Sequence, residues 1–207
     1  MSDAGDAGPA DVDAASFRRA AGQFASGIVV VTTRSGHAMT VSAFTSVSLA
    51  PPLVLFCAEK IARFHDAVVA AGWWAVSILG EDAEKTARWL ATRGRPLDGQ
   101  LSEVAHHPGP VTGAPVLDDA LAVLECRTTA VHDGGDHSIV VGRVAGVSVP
   151  SDPPRHGPLV HHAGAYRRLA LARRPALAQH LRLGPAPGLS RLSPPRSCPG
   201  PSRGPRR

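Results

Sequence analysis

The sequence predicts a mainly β domain, an antiparallel barrel with a few peripheral helices. Three observations carry that prediction. About seven short runs of β-branched and aromatic residues are bounded by Gly or Pro. The helical stretches between them are few and short. No strand–helix–strand alternation recurs, which excludes a parallel α/β sheet.

Residues 1–12 are small, acidic and contain Gly and Pro, so a frayed leader is expected there. From Asp13 onward, Phe17, Ala20, Ala21 and Phe24 recur at three- and four-residue spacing, predicting one amphipathic helix that Gly27 ends. Residues 28–33 are β-branched throughout and too short for a core helix, hence a strand, with residues 34–37 as its turn. Residues 39–49 return as a single hydroxyl-rich strand, stopped by Pro51-Pro52. Residues 53–57 read as a short buried strand, 62–71 as a helix, 73–79 as a strand and 82–92 as another helix. Residues 94–115 are polar, rich in Gly and Pro and without period. They are expected to form a long surface loop, of the kind that is commonly either functional or disordered. Residues 121–131 and 138–149 are long strands joined by Asp133-Gly134-Gly135-Asp136, a Gly-rich hairpin connection. Residues 158–161 add a final short strand. The expected domain therefore spans 13–169, and residues 170–207, dominated toward the end by Pro, Gly, Ser and Arg, are expected to be a disordered tail.

Charge divides along the same boundary. Eight of the 22 basic residues are arginines within 170–207, which holds no acid. The first 169 residues thus carry 14 basic against 17 acidic side chains, about −3. A nucleic-acid-binding domain wears its positive charge on the fold, so no nucleic-acid partner is expected. Cys57, Cys126 and Cys198 are odd in number and widely spaced, which supports neither a disulfide framework nor a zinc ribbon. His106-His107, His132 and His161-His162 lack the spaced Cys, His and carboxylate set of a metal site, so no metal is expected. No apolar run approaches the roughly 20 residues needed to cross a bilayer, and the first fifteen residues hold four Asp and no apolar run. No membrane partner is expected, and the cytoplasm is the expected location.

Two stretches carry a recognisable signature. The first is Gly27-Ile28-Val29-Val30-Val31-Thr32-Thr33 with Met39-Thr40-Val41-Ser42-Ala43-Phe44-Thr45-Ser46-Val47-Ser48-Leu49-Ala50-Pro51-Pro52-Leu53-Val54. The second is Gly134-Gly135-Asp136-His137-Ser138-Ile139-Val140-Val141-Gly142. Together they resemble the flavin reductase-like family, with the FMN-binding split-barrel fold, over about residues 17–166. These are the reductase components of two-component flavin monooxygenases. The resemblance implies a dimeric, six-stranded split β-barrel that holds FMN or FAD, oxidises NADH or NADPH, and releases reduced flavin to a separate oxygenase.

Such chemistry belongs to the cofactors. The protein supplies grip, alignment and electrostatics. The strand hydroxyls Thr40, Ser42, Thr45, Ser46 and Ser48 offer donors, and by resemblance Thr40, Val41, Ser42, Ala43 and Phe44, with Ser46 and Val47, line the flavin. Ser and Thr also suit the solvent face of a strand, and spacing alone does not separate the two readings. Glu59-Lys60-Ile61-Ala62-Arg63 follows a strand and opens a helix, where backbone N–H groups favour an anion. Lys60, Ile61, Ala62 and Arg63 are therefore expected at the phosphate. Relatives often carry Ser or Thr here; Ile61 and Ala62 remove those hydroxyls, and a solvated charge pair is the alternative. Asp136 and His137 end the hairpin, and the resemblance places them beside the nicotinamide. His137 is the catalytic candidate that hydrogen-bonds the dinucleotide or positions its carboxamide without a required proton transfer; a structural histidine at the hairpin mouth is the alternative. Gly164 and Tyr166 match a terminal Gly-x-Tyr, which either borders the cleft or closes the barrel. Two other functions share the fold or ligand: a pyridoxamine-phosphate-oxidase-like flavoprotein oxidase and a non-enzymatic flavin carrier.

Overall fold

The computed structural model describes residues 12–151 and 157–169; the predicted leader up to residue 11 and the tail from 170 onward lie outside them. Helix α1 (Ala14–Ala21) precedes strands β1 (Ser26–Gly27), β2 (Val29–Thr33), β3 (Ala38–Val41), β4 (Phe44–Leu49) and β5 (Pro52–Glu59). Helix α2 (Arg63–Ala71), strand β6 (Trp73–Leu79) and helix α3 (Glu84–Ala91) follow. Then come β7 (His106–Pro108), β8 (Pro115–Leu117), β9 (Ala120–Gly134), β10 (His137–Ser148), β11 (Leu159–His162) and β12 (Ala165–Arg168).

Seven strands form one antiparallel sheet in the order β3-β2-β6-β9-β10-β5-β4. Consecutive strands β3 and β4 sit at its opposite edges, with only Ser42 and Ala43 between them. That short link spans roughly 10 Å at most, so the sheet must curl until its edges approach. The Ala43 carbonyl accepts from the Cys57 N–H at 3.0 Å, fastening the crossing to β5. Because β3 and β4 are not hydrogen-bonded neighbours, the barrel is split, as the family resemblance implies, with seven strands in the sheet where six were expected.

Burial explains why β2 is apolar without alternation: all five of its residues are buried. Val29 and Val31 face the barrel interior with Val54, Phe56, Trp74 and Val140, where α2 inserts Phe64 and Val68. Ile28 and Val30 face outward beneath Ala87 and Leu90 of α3, with Leu101 and Leu159. A strand covered on both faces reads as a continuous β-branched run. Inside, Trp74 meets Phe56 edge-on at 4.9 Å and donates its indole N–H to Thr128 Oγ1 at 3.0 Å. A fully buried side chain of this size contributes on the order of 3 kcal/mol. Gly142 makes room for it, since a Cβ there would lie 2.3 Å from the indole.

Five expectations need correction. The first helix stops at Ala21 with Gly22 as its C-cap, so Phe24 lies beyond it, and α1 buries no residue. The predicted 39–49 strand is two strands, because its halves pair with different partners, β2 and β5. The 94–115 loop contains β7, which pairs with β8. The long hairpin turns on Gly135 and Asp136 alone, with Gly134 and His137 already paired and Gly135 at φ +76°. The last strand is a hairpin, β11 with β12, turning at Ala163 (φ 50°) and Gly164 (φ 77°).

Candidate active site

The edge-to-edge crossing creates a cleft of about 380 Å³. Its walls are β3 and the Ser42-Ala43 link, the end of β5, the start of α2, the end of α3 with residues 92–95, and His137 from the long hairpin. Of the residues expected at a flavin, Thr40, Val41, Ser42, Ala43, Ile61, Ala62, Arg63 and His137 line this one cleft. They come from three elements up to 97 positions apart in the chain.

The other expected residues lie elsewhere, each for a physical reason. Phe44 begins β4 and packs against the barrel core. Ser46 and Val47 are further along that strand, paired with β5 or exposed. Lys60 turns away to an ion pair with Asp133. Asp136 is exposed, lies outside the cleft wall and holds the His137 ring. Gly164 occupies the β11–β12 turn, and Tyr166 in β12 packs against His161 with the Arg88 guanidinium 4.9 Å above its ring. Thr40 lines the cleft, and its hydroxyl donates to the Ala87 carbonyl at 2.8 Å, tying β3 to α3.

The sequence reading missed Arg93 and Arg95, placed in the cleft wall by the turn after α3. Arg93 makes two bonds to the Glu59 carboxylate, at 2.7 and 2.9 Å. Arg95 donates to the carbonyls of Thr92 (2.9 Å) and Ala38 and to Gln100 Oε1 (3.2 Å). Its buried Nε has no hydrogen-bond partner among the described residues. Burial, and then the neighbouring Arg63, hold the Arg95 guanidinium below its ordinary proton affinity. Arg63 itself donates to the Arg95 carbonyl. The sequence signal available was the Arg93-Gly94-Arg95 cluster opening an aperiodic loop.

Helix α2 begins at an N-cap, Ala62, that supplies no side-chain hydrogen bond. Its first-turn N–H groups thus keep their preference for an anion. Opposite, His137 Nδ1 lies 2.7 Å from the Asp136 carboxylate. That bond from His137, together with its charge, holds the Asp136 carboxyl below the usual range. With Nδ1–H assigned as donor, Nε2 is left for a ligand. Lys60 N–H to the Asp136 carbonyl, 3.0 Å, fixes this turn to the end of β5. The cleft is flanked by the Ser42-Ala43 link between strands, by arginine side chains and by two imidazoles, His137 held by Asp136 and His37 held by Ser35.

A curled, unclosed antiparallel barrel with such a cleft at its crossing defines a split-barrel protein. The model of the flavin reductase like domain matches residues 21–170, and the chain belongs to that family. Among its relatives, an NADH-dependent FAD reductase of Streptomyces globisporus is 39% identical over 161 residues, covering 76% of this chain and 87% of the relative. The reductase component of Thermus thermophilus 4-hydroxyphenylacetate 3-monooxygenase is 41% identical, covering 74% and 95%. The structure of Streptomyces globisporus C-1027 NADH:FAD oxidoreductase with NAD and FAD fragments superposes with a TM-score of 0.72 at 37% identity, covering 77% of this chain and 94% of that one.

Proposed function

We propose that this chain is an NADH-dependent flavin reductase that passes hydride from reduced nicotinamide to FMN or FAD and releases the reduced flavin to a separate monooxygenase. The observation that carries the reading is the convergence of residues 40–43, the start of α2 and His137 on one cleft, in a chain of the flavin reductase family. Relatives named as NADH-dependent flavin reductases and monooxygenase reductase components support it, and they favour neither an oxidase nor a carrier.

The donor set fits a flavin. A buried, unpartnered Arg95 Nε and the uncapped start of α2 suit a phosphate. Ser42 and Ala43 lie between strands, where backbone groups can meet the polar edge of a planar ring. When bound, flavin and nicotinamide supply the hydride chemistry, from the nicotinamide ring to flavin N5. The chain's own part is alignment. Met39, Val41, Phe64 and Leu90 give the cleft apolar walls that exclude water, and His137, oriented by Asp136, positions the nicotinamide.

The reading carries three companion proposals. The working domain is residues 13–169, the enzyme acts in the cytoplasm, and it is a homodimer. Exposed apolar side chains on α1 and the edge strand β4 support the last: Phe17, Val47 and Leu49, the last 92% exposed. No described helix is long and apolar enough to cross a membrane.

Steady-state nicotinamide oxidation over the four pairings of FMN or FAD with NADH or NADPH tests the activity. Rapid oxidation of NADH with at least one flavin is expected. Rates equal to those of the free reagents in all four refute it.

A further inference from the structure

We propose that His65, through its hydrogen bond to Ser138, is a positioning residue for hydride transfer. It braces the strand end that carries His137 against helix α2, and so sets how the nicotinamide lies over the flavin. The proposal rests on the flavin reductase reading and adds to it a residue outside the cleft wall.

His137 and Ser138 are consecutive in β10, so their side chains leave opposite faces of the strand. His137 enters the cleft, whereas Ser138 points toward the barrel interior, beside its β5 partner Ala58 and on the face of Val140. Ser138 is only 6% exposed, and a hydroxyl buried to that degree needs a partner. His65 Nε2 lies 2.9 Å from it, and His65 Nδ1 lies 2.9 Å from the Asp66 carboxylate. With Nδ1–H donating to Asp66, Nε2 accepts from the Ser138 hydroxyl. The row has the order of a hydrolytic serine relay, but Ser138 is buried and does not line the cleft, so it meets no substrate. Its work is mechanical.

The turn that carries His137 needs such a hold. Its Asp136 side chain is 88% exposed, so the bond from His137 fixes the ring relative to the turn and not the turn relative to the cleft. Pairing with β5 and the Lys60 N–H bond to the Asp136 carbonyl act within the sheet. They do not oppose flexing of the strand end toward or away from the cleft. Lys60 also meets Asp133, but at solvent, where an ion pair contributes little. Helix α2 is the fixed reference, because Phe64 and Val68 are buried in the barrel core. Among the described residues, His65 to Ser138 is the one side-chain hydrogen bond that joins this helix to the hairpin. His65 follows Phe64 and Ser138 follows His137, so the bond links two cleft walls one residue behind each. A misplacement of about 1 Å can slow a reaction on the order of 100-fold, so a brace at this point bears on the rate.

The test is anaerobic single-turnover reduction of protein-bound flavin at saturating NADH, with flavin affinity measured by fluorescence. Wild type is compared with His65→Ala, His65→Gln, Ser138→Ala and the double alanine variant. Each single alanine variant should lower the first-order rate constant about five- to tenfold, and the double variant no further. Flavin affinity should stay within about twofold, because β3 and the arginines do not depend on this bond. His65→Gln, whose amide oxygen can accept the same hydroxyl, should recover part of the rate. A variant that merely folds less well loses amplitude and keeps its rate constant. Unchanged rate constants in both single variants, losses that multiply in the double variant, or an equal weakening of flavin binding overturn the proposal. A wild type that reduces no flavin defeats the reductase reading itself.

Discussion

His137 and the two described cysteines give the sharpest tests at the level of single residues. Asp136 holds the His137 ring through a 2.7 Å bond, and His137→Ala removes the one imidazole in the cleft that is tied to the hairpin turn. We expect kcat/KM for NADH to fall about tenfold or more, with a much smaller change in flavin Kd. Comparable losses in both would mean that the ring serves the flavin. The Asp136 carboxyl is depressed, so its contribution is present above the ordinary 3.8 and is lost only as pH falls through the still lower folded value. Neutral-pH activity should therefore not titrate with the Asp136 carboxyl itself, and a carboxyl step above about pH 5 in the activity profile would contradict this. Cys126 is fully buried, and burial, with Glu125 beside it, pushes its thiol up to about 12. Burial also raises Cys57, which lines the cleft. Raised values mean less thiolate at pH 8. Iodoacetamide followed by peptide mass mapping should leave Cys126 unlabelled and label Cys57 slowly, faster as pH rises and slower with flavin present. Fast labelling of Cys126 would contradict its burial.

Among the elements, the β7–β8 hairpin depends on a distant carboxylate. Glu125, buried in β9, accepts from the N–H groups of Val111 and Thr112 and from the Thr112 hydroxyl, at 3.0, 2.6 and 2.7 Å. Glu125→Ala leaves all three donors unmet, and urea unfolding should show a loss of more than about 2 kcal/mol. A loss under half that would mean that water replaces the carboxylate. The same dependence explains why the hairpin was illegible in sequence: three-residue strands carry no period, and what holds them lies on another strand. Residues 28–33, 73–79 and the long hairpin were legible, because β-branched runs between glycines have few other ways to bury themselves. The break at Ser42-Ala43 was not, since residues 39–49 form one uninterrupted pattern and only the two partner strands divide it. Phe24 continued a helical spacing that Gly22 had already ended. In the site, the polar strand, the start of α2 and His137 were readable through the family signature. Arg93 and Arg95 were not, because arginines in an aperiodic loop look like solvated charges until Glu59, Ala38 and Gln100 are seen to hold them.

At the scale of the whole molecule, the split barrel leaves apolar surface uncovered. Phe17 (64% exposed) and Leu49 stand on α1 and on the edge strand β4. Light scattering during size exclusion should give twice the chain mass, and Leu49→Glu should shift the population toward the monomer. A wild-type monomer at micromolar concentration would contradict the dimer. The function itself depends on the near-meeting of two sheet edges: only that closure brings β3, α2 and the β9–β10 turn around one cleft. Anaerobic rapid mixing of the protein and flavin with NADH, followed by flavin absorbance, tests it most directly. Bleaching orders of magnitude faster than in the protein-free mixture is predicted. A rate no faster than that of the free reagents would show that this cleft does not bring flavin and nicotinamide together.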